Sequence, residues 1–198
     1  MSPAVRRRVF LAISAVVLVG IGVVGGVLLT PAPELEGHPV DVAFSQDMIV
    51  HHQQAVDMAE LVRDRAAPQV AAIAVGIAAG QRKEIGLFQG WLSLWNAPQV
   101  TSGGHHDHGG APMPGMASIP DLHRLADATG NDLDIWFLQL MVRHHQGGAR
   151  MAESAAQTAH QPQVRAMAKV IAADQQREIA TMTGLLTSLG HAPLPAAQ

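Results

Sequence analysis

Adjacent histidines stand twice in this 198-residue chain, and both times in the same company. The stretch "MIVHHQQAVDMAE" at 48–60 returns as "MVRHHQGGARMAE" at 141–153. Each copy has a Met, a His pair, a Gln and Met-Ala-Glu in register. Neutral imidazole ligates borderline metals through a ring nitrogen, and thioether ligates soft ones. The chain has 11 His and 9 Met but no Cys. A disulfide framework and a thiolate metal site are therefore both excluded. A soft or borderline metal could therefore be held here only by imidazole and thioether.

Chemistry of this kind needs the side chains on one face of a helix. At 100° per residue, Phe44, Met48, His51, His52, Ala55, Met58 and Ala59 share one broad face, and Asp57 lies opposite. The second copy repeats the face with Phe137, Met141, His144, His145, Gly148, Met151 and Ala152. At least one His of each pair is thus expected to point into a helical core. Two further pairs, Gln81 with Glu84 and Gln175 with Glu178, share faces with Ile77 and Phe88 and with Ile171 and Met182. An acid on an apolar face is costly unless it is paired or bound to metal. Glu84 and Glu178 are therefore candidates to ligate a metal directly or to orient a ligating His. Against this stands the ordinary role of such residues, with His satisfied in a core and Met as core filler.

The elements that position these residues repeat as well. A helix is expected from Asp41, as N-cap, to about Arg65, and another over 68–95. A short helix follows near Asp121–Ala128, then long helices from about Asn131–Asp134 to Thr158 and from Pro162 to about Leu189. Asp41 and Phe44 match Asp134 and Phe137, "PQV" at 68–70 matches 162–164, and "AAGQRKEI" at 78–85 matches "AADQQREI" at 172–179. "LWNAP" at 94–98 is paired with "LGHAP" at 189–193. Each half is a helical hairpin, and two amphipathic hairpins bury their stripes as a four-helix bundle. The fold class is all-α, with this domain over 41–195.

Between the hairpins, 98–120 is rich in Gly, Pro and His and is read as a loop. It carries a secondary set of candidate ligands, His105, His106, His108, Met113 and Met116. His38, His123, His160 and His191 stand alone. At the other end, Arg6, Arg7 and Arg8 precede the charge-free run Val9–Thr30, long enough to cross a bilayer as a helix. The positive cluster predicts a cytoplasmic segment 1–8, a single-pass transmembrane anchor 9–30, a linker 31–40 and an extracytoplasmic domain. Export after signal cleavage is the alternative. Beyond residue 30 the chain has 10 Lys and Arg against 16 Asp and Glu. Such a balance does not suit nucleic acid.

The double "M[IV]xHHQ", the later "QxxEI" and "PGMAS" ahead of the second copy resemble the domain of unknown function 305 family, over about residues 40–190. The resemblance implies a ferritin-like four-helix bundle and, as in some members, exported copper binding. It implies metal ligation through Met48, His51, His52, Met58, Met141, His144, His145 and Met151. In the second copy Gly147-Gly148 and Arg150 replace Gln54-Ala55 and Asp57, which is expected to loosen the helix and weaken that site. The expected function is copper sequestration or handover, as Cu(I) or Cu(II), with a homo-oligomer or a copper-handling protein as possible partner. No nucleophile, triad spacing or phosphate loop calls for catalysis. A ferritin-like di-metal oxidoreductase is the enzymatic alternative, poor in carboxylates here, and a metal-free helical interaction module is the third.

Overall fold

The computed structural model describes residues 36–99 and 113–196. Among them are four long helices and one short one, with no strand: α1 (Pro39–Val62), α2 (Pro68–Leu94), α3 (Ile119–Asp127), α4 (Gly130–Thr158) and α5 (Pro162–Ser188). The run 9–30, expected to be a membrane anchor, and the loop histidines 105, 106 and 108 lie outside the described residues. No described helix is long and apolar enough to cross a membrane.

Local chemistry explains the helix ends. Proline occupies the first turn of α1, α2, α3 and α5, where the missing N–H has no intrahelical partner to lose. Ser118 and Asp121 close a reciprocal capping box on α3. α2 and α5 stop alike. Asn96 (φ 50°) and Gly190 (φ 78°) turn left-handed, and the next residues, Ala97 and His191, donate back to the Leu92 and Leu186 carbonyls at 2.8 and 2.9 Å. Asn96 is thus the counterpart of Gly190, one residue off the register that pairs "LWNAP" with "LGHAP".

α1 begins three residues earlier than expected, with His38 rather than Asp41 as its cap. Asp41 is fully buried and serves the other half of the molecule. It accepts from the backbone N–H of His160 (2.8 Å) and Gln161 (3.1 Å) at the start of α5. Its counterpart Asp134 accepts from the N–H of Ala67, the N-cap of α2, at 3.1 Å. Each hairpin therefore caps the outer helix of the other. His38 and His160, read as isolated, stack with ring centroids 4.6 Å apart beside this junction.

α1 packs on α2, α4 on α5, and the hairpins meet through α1 and α4. The apolar core falls into two clusters. One holds Met58, Val62, Ile77, Leu133, Phe137, Met141 and Met182. The other holds Phe44, Met48, Phe88, Ala152, Ala155 and Ile171. Every long helix passes from one cluster to the other, and at the crossing it carries either His-His or Gln-x-x-Glu. The polar residues thus form one layer across the middle of the bundle.

Candidate metal centre

The helical faces read from periodicity hold. Met48, His51, His52, Met58, Met141, His144 and His145 are all fully buried, and Asp57 is exposed. Both histidines of each pair point inward, where at least one was expected. The rings form a row, His52–His51–His144–His145, with successive centroids 6.5, 3.9 and 6.2 Å apart. The two copies of the motif therefore meet in one place, at the contact between His51 and His144.

Three of the four imidazoles are held in a defined tautomer. His52 Nε2 donates to Glu84 Oε2, and His145 Nε2 to Glu178 Oε2, each at 2.7 Å. His51 Nε2 donates to the Pro114 carbonyl at 3.0 Å. Carboxylate and carbonyl oxygens only accept, so in the neutral rings the proton sits on Nε2 and the lone pair on Nδ1. Nδ1 of His51, His52 and His145, and both nitrogens of His144, are buried with no hydrogen-bond partner. Burial foremost, with the neighbouring His52 second, lowers the His51 pKa from 6.5 to about 3. Burial, and then His51, lowers that of His144 well below its usual value. Both central rings are thus neutral at ordinary pH, the form that ligates metal.

Met48 and Met141 each precede the central His of their helix by three residues, about one turn, and flank the polar layer from opposite clusters. Met58 lies deeper in the first cluster. Met151 is half-buried and lines a surface groove with Phe44 and Pro114. Neither belongs to the polar layer. Glu84 and Glu178 reach outward from it, with side chains 15% and 38% exposed. Among the described residues no three His, Asp or Glu side chains converge as a ready cage for a cation.

The end of the inter-hairpin loop is part of the centre, which its composition did not reveal. Met113 is buried and Met116 half-buried. The segment 113–117 lies across the His51 side of α1 and against α4. The Gln54 side-chain amide both donates to the Ala117 carbonyl (2.9 Å) and accepts from its N–H (2.7 Å). Gly115 is left-handed (φ 81°), and a Cβ there would lie 2.5 Å from the Arg143 carbonyl. A Cβ on Gly147 would lie 1.8 Å from the Pro114 carbonyl oxygen. Gly147 and Gly148 therefore do not loosen α4, which runs unbroken through both. They are places where backbone and side chains must approach closely. Two small residues on a buried helical face were the signal available for this.

Residues 41–186 match the family model described as "Domain of unknown function (DUF305)". The chain belongs to the DUF305 family. Its structure is similar to that of a DUF305 protein from Streptomyces coelicolor, at 36% identity and TM-score 0.74, over 79% of this chain and 97% of that one. A DUF305 fragment from Deinococcus radiodurans matches at 32% identity and TM-score 0.70, over 77% and 99%. CopM in its Cu(II)-bound form matches at 27% identity and TM-score 0.65, over 75% and 97%. CopM is also known in Cu(I)-bound, silver-bound and apo forms. No curated protein matches the chain.

Proposed function

We propose that this DUF305 protein binds copper in the polar layer of its bundle and serves to sequester the ion or hand it over. One observation carries the reading. Four imidazoles are buried in a row with at least one unpartnered ring nitrogen each, and the central two are neutral by burial. A purely structural buried polar group finds a hydrogen-bond partner in the great majority of cases. Neutral rings at His51 and His144 with a lone pair and no donor to it suit a ligand that accepts that pair. The similarity to CopM, which has been solved with Cu(II), Cu(I) and silver, supports the same metal class.

In this reading His51 and His144 supply nitrogen at the centre. Glu84 and Glu178 fix the rings of His52 and His145, as carboxylates commonly do behind a ligating His. Met48 and Met141 offer thioether from either side, which favours Cu(I), while imidazole also holds Cu(II). The loop residues His105, His106, His108, Met113 and Met116 form the secondary set, while Met58 and Met151 stand apart from the layer. The layer's two carboxylates are both tied to imidazole, whereas a di-metal carboxylate oxidase draws a Glu from each of four helices. We therefore assign no catalysis. The N-terminal run gives the domain a membrane anchor on the extracytoplasmic side.

Replacing His51 and His144 together by Leu removes the donors while keeping the core filled. The double variant should fold, by circular dichroism, yet lose the tightest class of bound Cu(II) and of Cu(I) or Ag(I) in competition dialysis. Unchanged stoichiometry and affinity would show that the polar layer is structural.

A further inference from the structure

The outer helices α2 and α5 leave a cleft of about 240 Å³ between them, at the height of the polar layer. Gly80, Gln81 and Glu84 line one wall, and Gln175, Glu178 and Thr181 line the other. Gln81 and Gln175 are 4% and 3% exposed, and none of their four amide atoms has a hydrogen-bond partner. A buried amide left bare on both ends costs free energy unless something occupies it. Each carboxylate spends Oε2 on its imidazole and keeps Oε1 available. Arg177 at the rim is paired with Asp174, so its charge is offset there.

No histidine lines the cleft, but one of its walls, Gln175, borders the centre. A Cβ on Gly148 would lie 2.5 Å from Gln175 Oε1 and 3.0 Å from His51 Cε1. The Gln175 amide and the His51 ring thus converge over the same glycine. Gln175 lines the cleft, and both atoms of its amide lie against Gly148 beside His51. Oxygen donors lie outside and nitrogen donors inside. Two carboxylates at the mouth disfavour an anion, and amide and carboxylate oxygens suit a hydrated, hard-to-borderline cation. We propose that the α2–α5 cleft is a docking subsite for a hydrated copper(II) ion, through which the ion reaches His51 and His144. The proposal rests on the copper reading above. The step is ligand exchange alone. Carboxylate and amide oxygens displace waters, imidazole nitrogen displaces those oxygens, and the copper keeps its oxidation state.

Gly80 allows a clean test, because a Cβ there meets nothing within 4 Å. Gly80→Phe places a ring in the cleft without touching the histidines. Gly90 on the same helix is equally open and does not line the cleft, so Gly90→Phe is the control. Thr181→Phe blocks from the opposite wall should Gly80→Phe fail to fold. Loading of full-length protein is followed by stopped flow with Cu(II) buffered by glycine, and the signal of the His51→Leu, His144→Leu variant is subtracted. Blocked variants should load at least about tenfold more slowly with unchanged final stoichiometry, while Gly90→Phe loads like the parent. Parent-like loading in a folded, blocked variant would overturn the cleft as the route. No subtractable copper signal in the parent would instead overturn the copper reading, and the route with it.

Discussion

Acidification should destabilise the fold through its central histidines, and the size of the effect follows from their burial. In the unfolded chain His51 titrates near 6.5, and in the fold its pKa is about 3. A base whose folded pKa is lowered binds protons better when unfolded, so stability falls as pH drops below 6.5. The loss continues until pH reaches about 3, where the folded form protonates too. At pH 7 the effect is close to nil. At pH 5 the unfolded state is favoured by about 1.5 units, or roughly 2 kcal/mol for His51 alone. His144 adds in the same direction, since its pKa is lowered by the same cause.

The variant that isolates the effect is His51→Gln, whose side-chain amide can still donate to the Pro114 carbonyl but cannot titrate. Urea unfolding of metal-free protein, with chelator present, should show the parent losing about 2 kcal/mol more than His51→Gln between pH 7 and pH 5. For a domain of this size that is a difference of about 4–8 °C in the melting-temperature drop. Equal losses in the two proteins would show that His51 is not held neutral by burial, and the argument for its ligating form would fall with it.

The crossed caps make a second prediction. Asp41→Ala removes an acceptor from two backbone N–H groups and should cost about 2–4 kcal/mol. Asp134→Ala removes one and should cost about 1–2 kcal/mol, so a reversed order in urea unfolding would refute the assignment. The N-terminal run makes the third. Fractionation should leave the full-length protein in the membrane with its C-terminal domain open to external protease, and a soluble exported form starting near Pro33 would refute the anchor.

What was legible in the sequence was local. The buried faces of α1 and α4 followed from a 3.6-residue period, because every residue on such a stripe meets the same environment. Helix starts at Pro68 and Pro162 followed from the chemistry of proline. The Gln-x-x-Glu pairs stood out because polar groups on an apolar stripe demand a partner. What was missed depends on contacts distant in sequence. Asp41 looked like its own helix's cap, and nothing local says that its partners are His160 and Gln161. Gly147 looked like a weakness because the Pro114 carbonyl that requires it lies 33 positions upstream. The tautomer of His51 depends on that same carbonyl.

These long-range contacts change what the duplication means. Two copies of a metal motif suggest two sites, the second degraded by its glycines. The structure instead makes each half depend on the other. His51 finds its nearest ring on His144, 3.9 Å away and not in its own hairpin. Asp41 of the first half caps α5, and Asp134 of the second caps α2. A lone hairpin would hold a His pair and an acid on an apolar face, with the start of its outer helix left without the acidic partner it has here. Pairing the hairpins covers the apolar face, supplies the caps, and brings the inner histidines together. Departures between the copies mark where symmetry must break. Gly147 admits the 113–117 segment, which covers only one side, and Gly148 gives Gln175 room beside His51 where Ala55 stands in the other copy. The duplication thus builds one central polar layer out of two halves, each of which lacks what the other supplies.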